Sequence, residues 1–262
     1  MSVLQSYDAL LSAVPDYGDW PIPYSCNVGT TTAANSTSGL ISAQRYPRTV
    51  TVPSLGSGVT GVAFPTVDLD IGIGAGSGFS AIMSCGLETL LGTLTVSGNS
   101  FAAGSAMPTK TVKGTSVATA TDSVFAVATT ALGGATTPVL TITYTNQSGT
   151  GSRTATLTLP SNPAVNTAFL VSPHLQSGDT GIRSVENISI STGTSGTIKI
   201  YGVLPLGKKC NGANSAYFAG PDPFTVPQIP WVAVGSETIG FYTVGQTAAN
   251  DMYAHVVGVA DS

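Results

Sequence analysis

Strict alternation of threonine with apolar residues on both sides of a Ser/Gly-rich turn, in LTITYTNQSGTGSRTATLTL (residues 140–159), narrows sharply what this chain can fold into. Successive side chains of a strand point to opposite faces, so a period of two describes a half-buried β-strand. Leu140, Ile142 and Tyr144 then share one face, opposed by Thr141, Thr143 and Thr145. After the turn, Ala155, Leu157 and Leu159 oppose Thr154, Thr156 and Thr158. Pairing Tyr144 with Ala155, Ile142 with Leu157 and Leu140 with Leu159 puts every apolar residue on one side, and a slip of one residue would turn threonine into the core. β-Branched threonine suits a pleated surface and pairs across strands. The prediction is a hairpin with one dry face and one neutral, hydroxyl-covered face.

The rest of the chain supports that character. Only 8% of its 262 residues are charged, against the usual quarter, while 42% are hydrophobic. Soluble monomers rely on charge for solubility, so a chain this poor in it is expected to cover its surface with neighbours. Nine Lys and Arg against thirteen Asp and Glu give a net charge of −4, and Lys208-Lys209 is the one basic pair, which argues against a nucleic-acid partner. No run is apolar enough for a membrane span. The first residues, MSVLQSYDALLSAVPDYGDW, lack the basic start and continuous apolar centre of a signal peptide. Cys26, Cys85 and Cys210 fit neither a zinc spacing nor a CxxC pair, and are expected to be buried thiols of a protein made in a reducing cytoplasm.

Three stretches are expected along the chain. Residues 1–45 read as a short helix followed by an extended arm: Val3, Leu4, Tyr7, Leu10, Leu11 and Val14 fall at helical spacing, and Pro15 closes the run. Residues 46–206 carry short alternating segments separated by Gly, Pro, Asn and Ser, which predicts an antiparallel β-sandwich of jelly-roll or Greek-key type. Strands are expected at 47–53, 59–72, 79–84, 90–97, 123–130, 138–145, 153–160, 168–172, 183–191 and 197–204, with 98–122 a loop or short insertion. Residues 207–262 add a proline-rich extended segment, PDPFTVPQIPWVAVG (221–235), and closing strands at 239–244 and 252–259. Leu4, Tyr7 and Leu11 from the helix, with Phe224, Ile229 and Trp231 from the proline-rich segment, are the expected contact residues.

Few residues point to chemistry. The glycines in DLDIGIGAGSGFS (68–80) lack the helix and the GK[ST] that phosphate loops require. Asp68 and Asp70 sit two apart, hence on one face of a strand, and form a weak metal candidate because no further carboxylate lies close in sequence. His174 and His255 are the only histidines, and no GxSxG elbow accompanies them. In LQSGDTGIRSV (175–185), Asp179 is a turn former that Arg183 could pair with. No catalytic residue, no cofactor and no enzyme activity is expected.

The run TITYTNQSGTGSRTATLTLP, followed by AFLVSPHLQSGDTGIRSVENISIS, resembles segments of structural virion proteins of tailed bacteriophages. The shared pattern is a "tYtNq.G..gRta" hairpin and then a "pLq.GD.GvrSv..i.lS" strand, together covering about residues 138–204. The resemblance implies a virion component assembled in the bacterial cytoplasm, foremost a head decoration or cement protein. Its partners would be the major capsid protein or other virion proteins and copies of itself, a homotrimer being expected. A neck, tail or baseplate part, or a module binding host-surface glycans, are the alternatives.

Overall fold

The computed structural model describes the backbone of residues 24–30, 42–45, 50–51, 62–72, 81–112, 115–212, 215–219, 231–232, 238–244 and 251–260. Side chains are described for residues 45, 86–108, 119–204 and 238–242. The expected N-terminal helix with Leu4, Tyr7 and Leu11, the glycine run beyond Gly72, and Phe224 and Ile229 lie outside the described residues.

Among the described residues the chain is antiparallel β-structure with a single 3-10 turn at Ser172–His174. The strands are β1 (Tyr24–Thr30), β2 (Ser42–Arg45), β3 (Val50–Thr51), β4 (Val62–Gly72), β5 (Ala81–Thr95) and β6 (Ser100–Ala103). Next come β7 (Thr109–Val112), β8 (Thr115–Ala118), β9 (Ser123–Gly133), β10 (Val139–Asn146), β11 (Arg153–Thr158) and β12 (Thr167–Leu170). The last are β13 (Ile182–Ile190), β14 (Ser195–Gly212), β15 (Ser215–Ala219), β16 (Trp231–Val232), β17 (Thr238–Val244) and β18 (Asp251–Ala260).

Six of these strands close on themselves. β5 pairs with β14, β14 with β9, β9 with β12, β12 with β2, β2 with β17, and β17 returns to β5, every pair antiparallel. A closed ring removes the open edges on which flat sheets aggregate. Alternation gives each strand an inner and an outer set. On β9, Phe125 and Val127 belong to a small cluster with Ala168, Val203 and Tyr242, while Val124 and Ala126 belong to a larger one. The small cluster fills the inside of the ring, as side chains must in so narrow a barrel. The larger cluster lies outside it, beneath a three-stranded sheet ordered β11-β10-β13.

That small sheet is the predicted hairpin with β13 added. Burial alternates residue by residue along β10, with Leu140, Ile142 and Tyr144 fully covered and the threonines between them partly open. Ile182, Val185 and Ile188 of β13 complete the dry face, which meets Leu94, Ile198, Ile200 and Phe241 of the ring. Each such side chain contributes about 1.5–3 kcal/mol on leaving water. The faces are those the alternation predicts, but the register is not. Tyr144 pairs with Arg153, Ile142 with Ala155 and Leu140 with Leu157, two residues from the expected alignment. A shift of two keeps every side chain on its face, so hydrophobicity cannot distinguish the two registers. The turn decides: the Asn146 side chain accepts from Ser148 N (3.1 Å), Ser148 Oγ (2.8 Å) and Thr150 N (2.9 Å), which closes a short loop.

Several other expectations change. The strands expected at 79–84 and 90–97 are one strand, β5, continuous through Glu88. Residues 98–122 hold β6 and the β7–β8 hairpin. The expected arm contains β1 and β2, and β2 sits between β12 and β17 in the ring. Trp231 lies on two-residue β16, which bridges β4 and β7 inside a second sheet ordered β1-β18-β4-β16-β7-β8, so the proline-rich segment enters a sheet interior rather than skirting it. Among the described residues, Trp231 and Val232, which follow Pro230, take part, where no proline interrupts the ladder.

Candidate functional site

The outer face of the β11-β10-β13 sheet is the feature most unlike an ordinary surface. Register sets Thr156, Thr141 and Ser189 in one row, Thr154, Thr143 and Asn187 in the next, and Thr145 beside Ser184. Thr154, Thr156 and Thr158 on β11 are exposed, and β11 is an edge strand of this sheet among the described residues. The face therefore presents hydroxyls and amides without a formal charge along its rows. Glu186, at its rim, accepts from Thr145 Oγ1 (2.7 Å) and from Ser152 N (3.2 and 3.1 Å).

One end of this face is fastened by Asp179. The loop after the 3-10 turn carries its carboxylate onto the hairpin, where four donors meet it. Oδ2 accepts from Tyr144 Oη (2.7 Å) and Arg153 Nε (2.8 Å); Oδ1 accepts from Asn146 Nδ2 (2.7 Å) and Arg153 Nη2 (3.2 Å). Tyr144 Oη in turn accepts from Gln176 N (2.9 Å), and Thr180 N donates to Gln147 Oε1 (3.0 Å). The expected partner of Asp179, Arg183, is not the one observed. Arg153 opens β11 directly across from Tyr144, which places it beside the loop, whereas the Arg183 guanidinium lies against Gly149. Hydrogen bonding from Arg153, with help from Asn146 and Tyr144, holds the Asp179 carboxyl down at about 2 against the opposing effect of desolvation. Desolvation and the bond to Asp179 push the Tyr144 phenol up to about 12. A carboxylate with both oxygens doubly engaged and ionised throughout the neutral range neither moves a proton nor has a free lone pair for a metal. It is a clasp.

A second polar cluster sits inside the ring, and nothing in the sequence announces it. Glu88 of β5 accepts from Arg45 Nε (2.8 Å) and Arg45 Nη2 (2.7 Å) and from Tyr242 Oη (2.5 Å). Arg45 also lies over the ring of Tyr201, 4.6 Å from its centre, and Tyr242 stacks on Phe125 at 4.2 Å. The side chains of Arg45 and Glu88 are 12% and 2% exposed, so this is a buried ion pair. Burial works against the Arg45 charge, but Glu88 more than offsets it and the guanidinium is held charged more firmly than usual. Burial first, and then the charge of Glu88, raise the Tyr242 phenol well above its ordinary value. Gly240 faces Glu88 so closely that a Cβ there would meet the Glu88 side chain. All three donors converge on one carboxylate with solvent excluded, an arrangement suited to fixing strand register.

The remaining sequence candidates are placed by backbone. Asp68 and Asp70 lie on β4, with His255 and Tyr253 of β18 as their respective register partners, and Ser25 and Asn27 of β1 beyond those. His174 ends the 3-10 turn and is exposed. No two cysteines are register partners: Cys26 faces Ala254, Cys85 faces Gly207 and Phe241, and Cys210 faces Ile82 and Tyr217. Among the residues whose side chains are described, no three of His, Cys, Asp and Glu converge as metal ligands do. No helix among the described residues is long and apolar enough to cross a membrane. Searches of protein-family models, of curated proteins and of solved structures return no match to the chain.

Proposed function

We propose that this chain is a structural subunit of a tailed-bacteriophage particle, most specifically a decoration or cement protein that bridges capsid subunits on the head. The observation that carries the reading is the use made of the residues behind the family resemblance. Tyr144, Asn146, Gln147, Arg153, Gln176 and Asp179 are spent on one another, as the clasp that braces a neutral hydroxyl face. A face of this kind suits a neighbour packed by shape and hydrogen bonding rather than by charge. The open β11 edge and the low charge of the chain favour a surface finished by other subunits, its own copies and the major capsid protein among them. The finer fold reading, a jelly-roll or Greek-key sandwich, is supported by the face-to-face packing of the small sheet on the ring.

Quantitative mass spectrometry of purified particles tests this. On the order of hundreds of copies per particle is the expected result for a head cement protein obeying shell symmetry. A small multiple of three, five or six would move the chain to the neck, tail or baseplate. Absence from the particle would sink the structural reading.

A further inference from the structure

We propose that the open edge of β11 pairs antiparallel with β11 of a second copy of this chain, about a two-fold axis beside Thr156, joining the small sheets of two copies into one. Hydrogen bonding fixes which backbone groups of β11 face outward. In an antiparallel pair, residues that exchange bonds with the neighbouring strand alternate with residues whose N–H and C=O turn away from it. Leu159 N donates to Pro138 O (2.8 Å), one position beyond the pair of Thr158 with Val139. Counting back in steps of two along an unbroken register, Leu157, Ala155 and Arg153 bond to β10, while Thr158, Thr156 and Thr154 turn their N–H and C=O away from it. The same three threonines have exposed side chains, and no further strand pairs with β11 among the described residues.

The opposite edge of this sheet is managed and the β11 edge is not. On β13, Arg183 O accepts from Met107 N (2.7 Å), Ile182 O from Thr121 N (3.1 Å), and Ile190 N donates to Asn99 Oδ1 (3.2 Å). Open edges are usually blunted by charge, proline or a covering segment. β11 (RTATLT) has no proline, and its one charge, Arg153, is turned to Asp179.

The strand is complementary to itself. A two-fold axis at Thr156 sets Thr156 opposite the partner's Thr156, Thr154 opposite the partner's Thr158 and Thr158 opposite the partner's Thr154. Every outward N–H then meets an outward C=O, the main-chain bonding that gives strand addition its affinity. The threonine side chains pair across the seam, and Ala155 meets the partner's Leu157 on the dry side. Charge is complementary as well: Arg153 meets the partner's Leu159, and no like charges are opposed. A shift of the axis by one residue would turn bonded groups to the seam and lose this match. The proposal rests on the structural reading above, naming a copy of the chain as the neighbour that finishes this edge.

The test uses the purified full-length chain. Opposed residues of a bonded antiparallel pair have Cα atoms about 5.5 Å apart, inside the about 4.4–6.8 Å that a disulfide spans. Under mild oxidation Thr156→Cys should therefore give a covalent dimer above the wild-type background. Thr154→Cys should not, because its counterpart lies more than about 13 Å away along the strand. Amide exchange read by NMR at low and high concentration gives a second measure without substitution. With about nine-tenths of the chains paired, the Thr154, Thr156 and Thr158 amides should slow about tenfold, and those of Ala155 and Leu157 should stay as they are. Thr156→Pro removes an outward N–H and no bond to β10, and should abolish the slowing at Thr154 and Thr158. Cross-linking of Thr154→Cys as fast as Thr156→Cys, or concentration-independent exchange at all three threonines, overturns the proposal. So does slowing seen in assembled particles and never in the purified chain, which would give the edge to a different protein. Pairing is read on the isolated chain and particle membership by copy number, so either can fail without the other.

Discussion

Replacing Glu88 by Gln removes one charge from the inside of the ring and leaves Arg45, 12% exposed at its side chain, without its counter-ion. Gln is nearly isosteric, so packing against Gly240 and the stack of Tyr242 on Phe125 survive, and the loss is electrostatic. Breaking a buried pair from one side costs about 3–5 kcal/mol, because an unpaired charge stays buried. At about 2–4 °C per kcal/mol for a chain of this size, the thermal midpoint should fall by about 6–20 °C. Tyr242→Phe deletes a single hydrogen bond to the same carboxylate and should cost about 1.5–3 kcal/mol. Arg45→Met and Glu88→Met combined with Tyr242→Phe should recover most of the Glu88→Gln loss, since an apolar cluster of similar volume carries no desolvation penalty and leaves no buried hydroxyl without its acceptor. Urea unfolding of the purified full-length variants, followed by circular dichroism, measures all three. The refuting result is a Glu88→Gln cost below about 1 kcal/mol, the range of exposed pairs. That outcome would mean water reaches Glu88 and the six strands do not close around it.

Three further outcomes follow from the same geometry. Asp179 has its folded-state pKa lowered to about 2 from an ordinary 3.8, so its clasp contributes stability fully present above 3.8 and lost as pH falls toward 2; acid titration of stability should show this loss in wild type and not in Asp179→Asn. Asn146→Ala strips the acceptor from Ser148 N and Thr150 N and should cost about 1–3 kcal/mol, with faster amide exchange at those two positions read by NMR. Gly240→Ala drives a methyl into the Glu88 side chain and should destabilise by about 1–3 kcal/mol in urea unfolding, an unchanged midpoint disproving the close approach.

What was legible in the sequence tracks how local the cause is. Alternation along 140–159 fixes which face of β10 and β11 is buried, because a strand carries its own period of two. The register and the Asp179 partner were misjudged, because they depend on where a side chain reaches after folding. Asn146 sets the first by capping its own turn, and the second follows from the first, since Tyr144 opposite Arg153 brings that guanidinium to the loop. Glu88 was passed over for a different reason. It falls between the segments expected as strands at 79–84 and 90–97, and its partner, Arg45, stands 43 positions away on a four-residue strand with no pattern of its own. Asp68 and His255 are likewise separated by most of the chain, and only the pairing of β4 with β18 sets them side by side.

The two polar clusters differ in a way that bears on what the family resemblance can mean. The clasp draws its members from two nearby segments, and those members are the residues of the shared pattern. Any chain that keeps the hairpin, the loop and the carboxylate must keep the spacing between them, so the pattern marks a way of fastening a loop to a hairpin. It carries no proton transfer and no substrate contact, because every polar atom of the Asp179 carboxylate is already engaged. A likeness built on such residues speaks for shared architecture. The clasp does not reach the hydroxyl rows of β10, β11 and β13 or the inside of the ring around Glu88. The rows of β10, β11 and β13 face outward with their donors and acceptors unspent along most of their length, and they are the surface on which the proposed role in assembly rests.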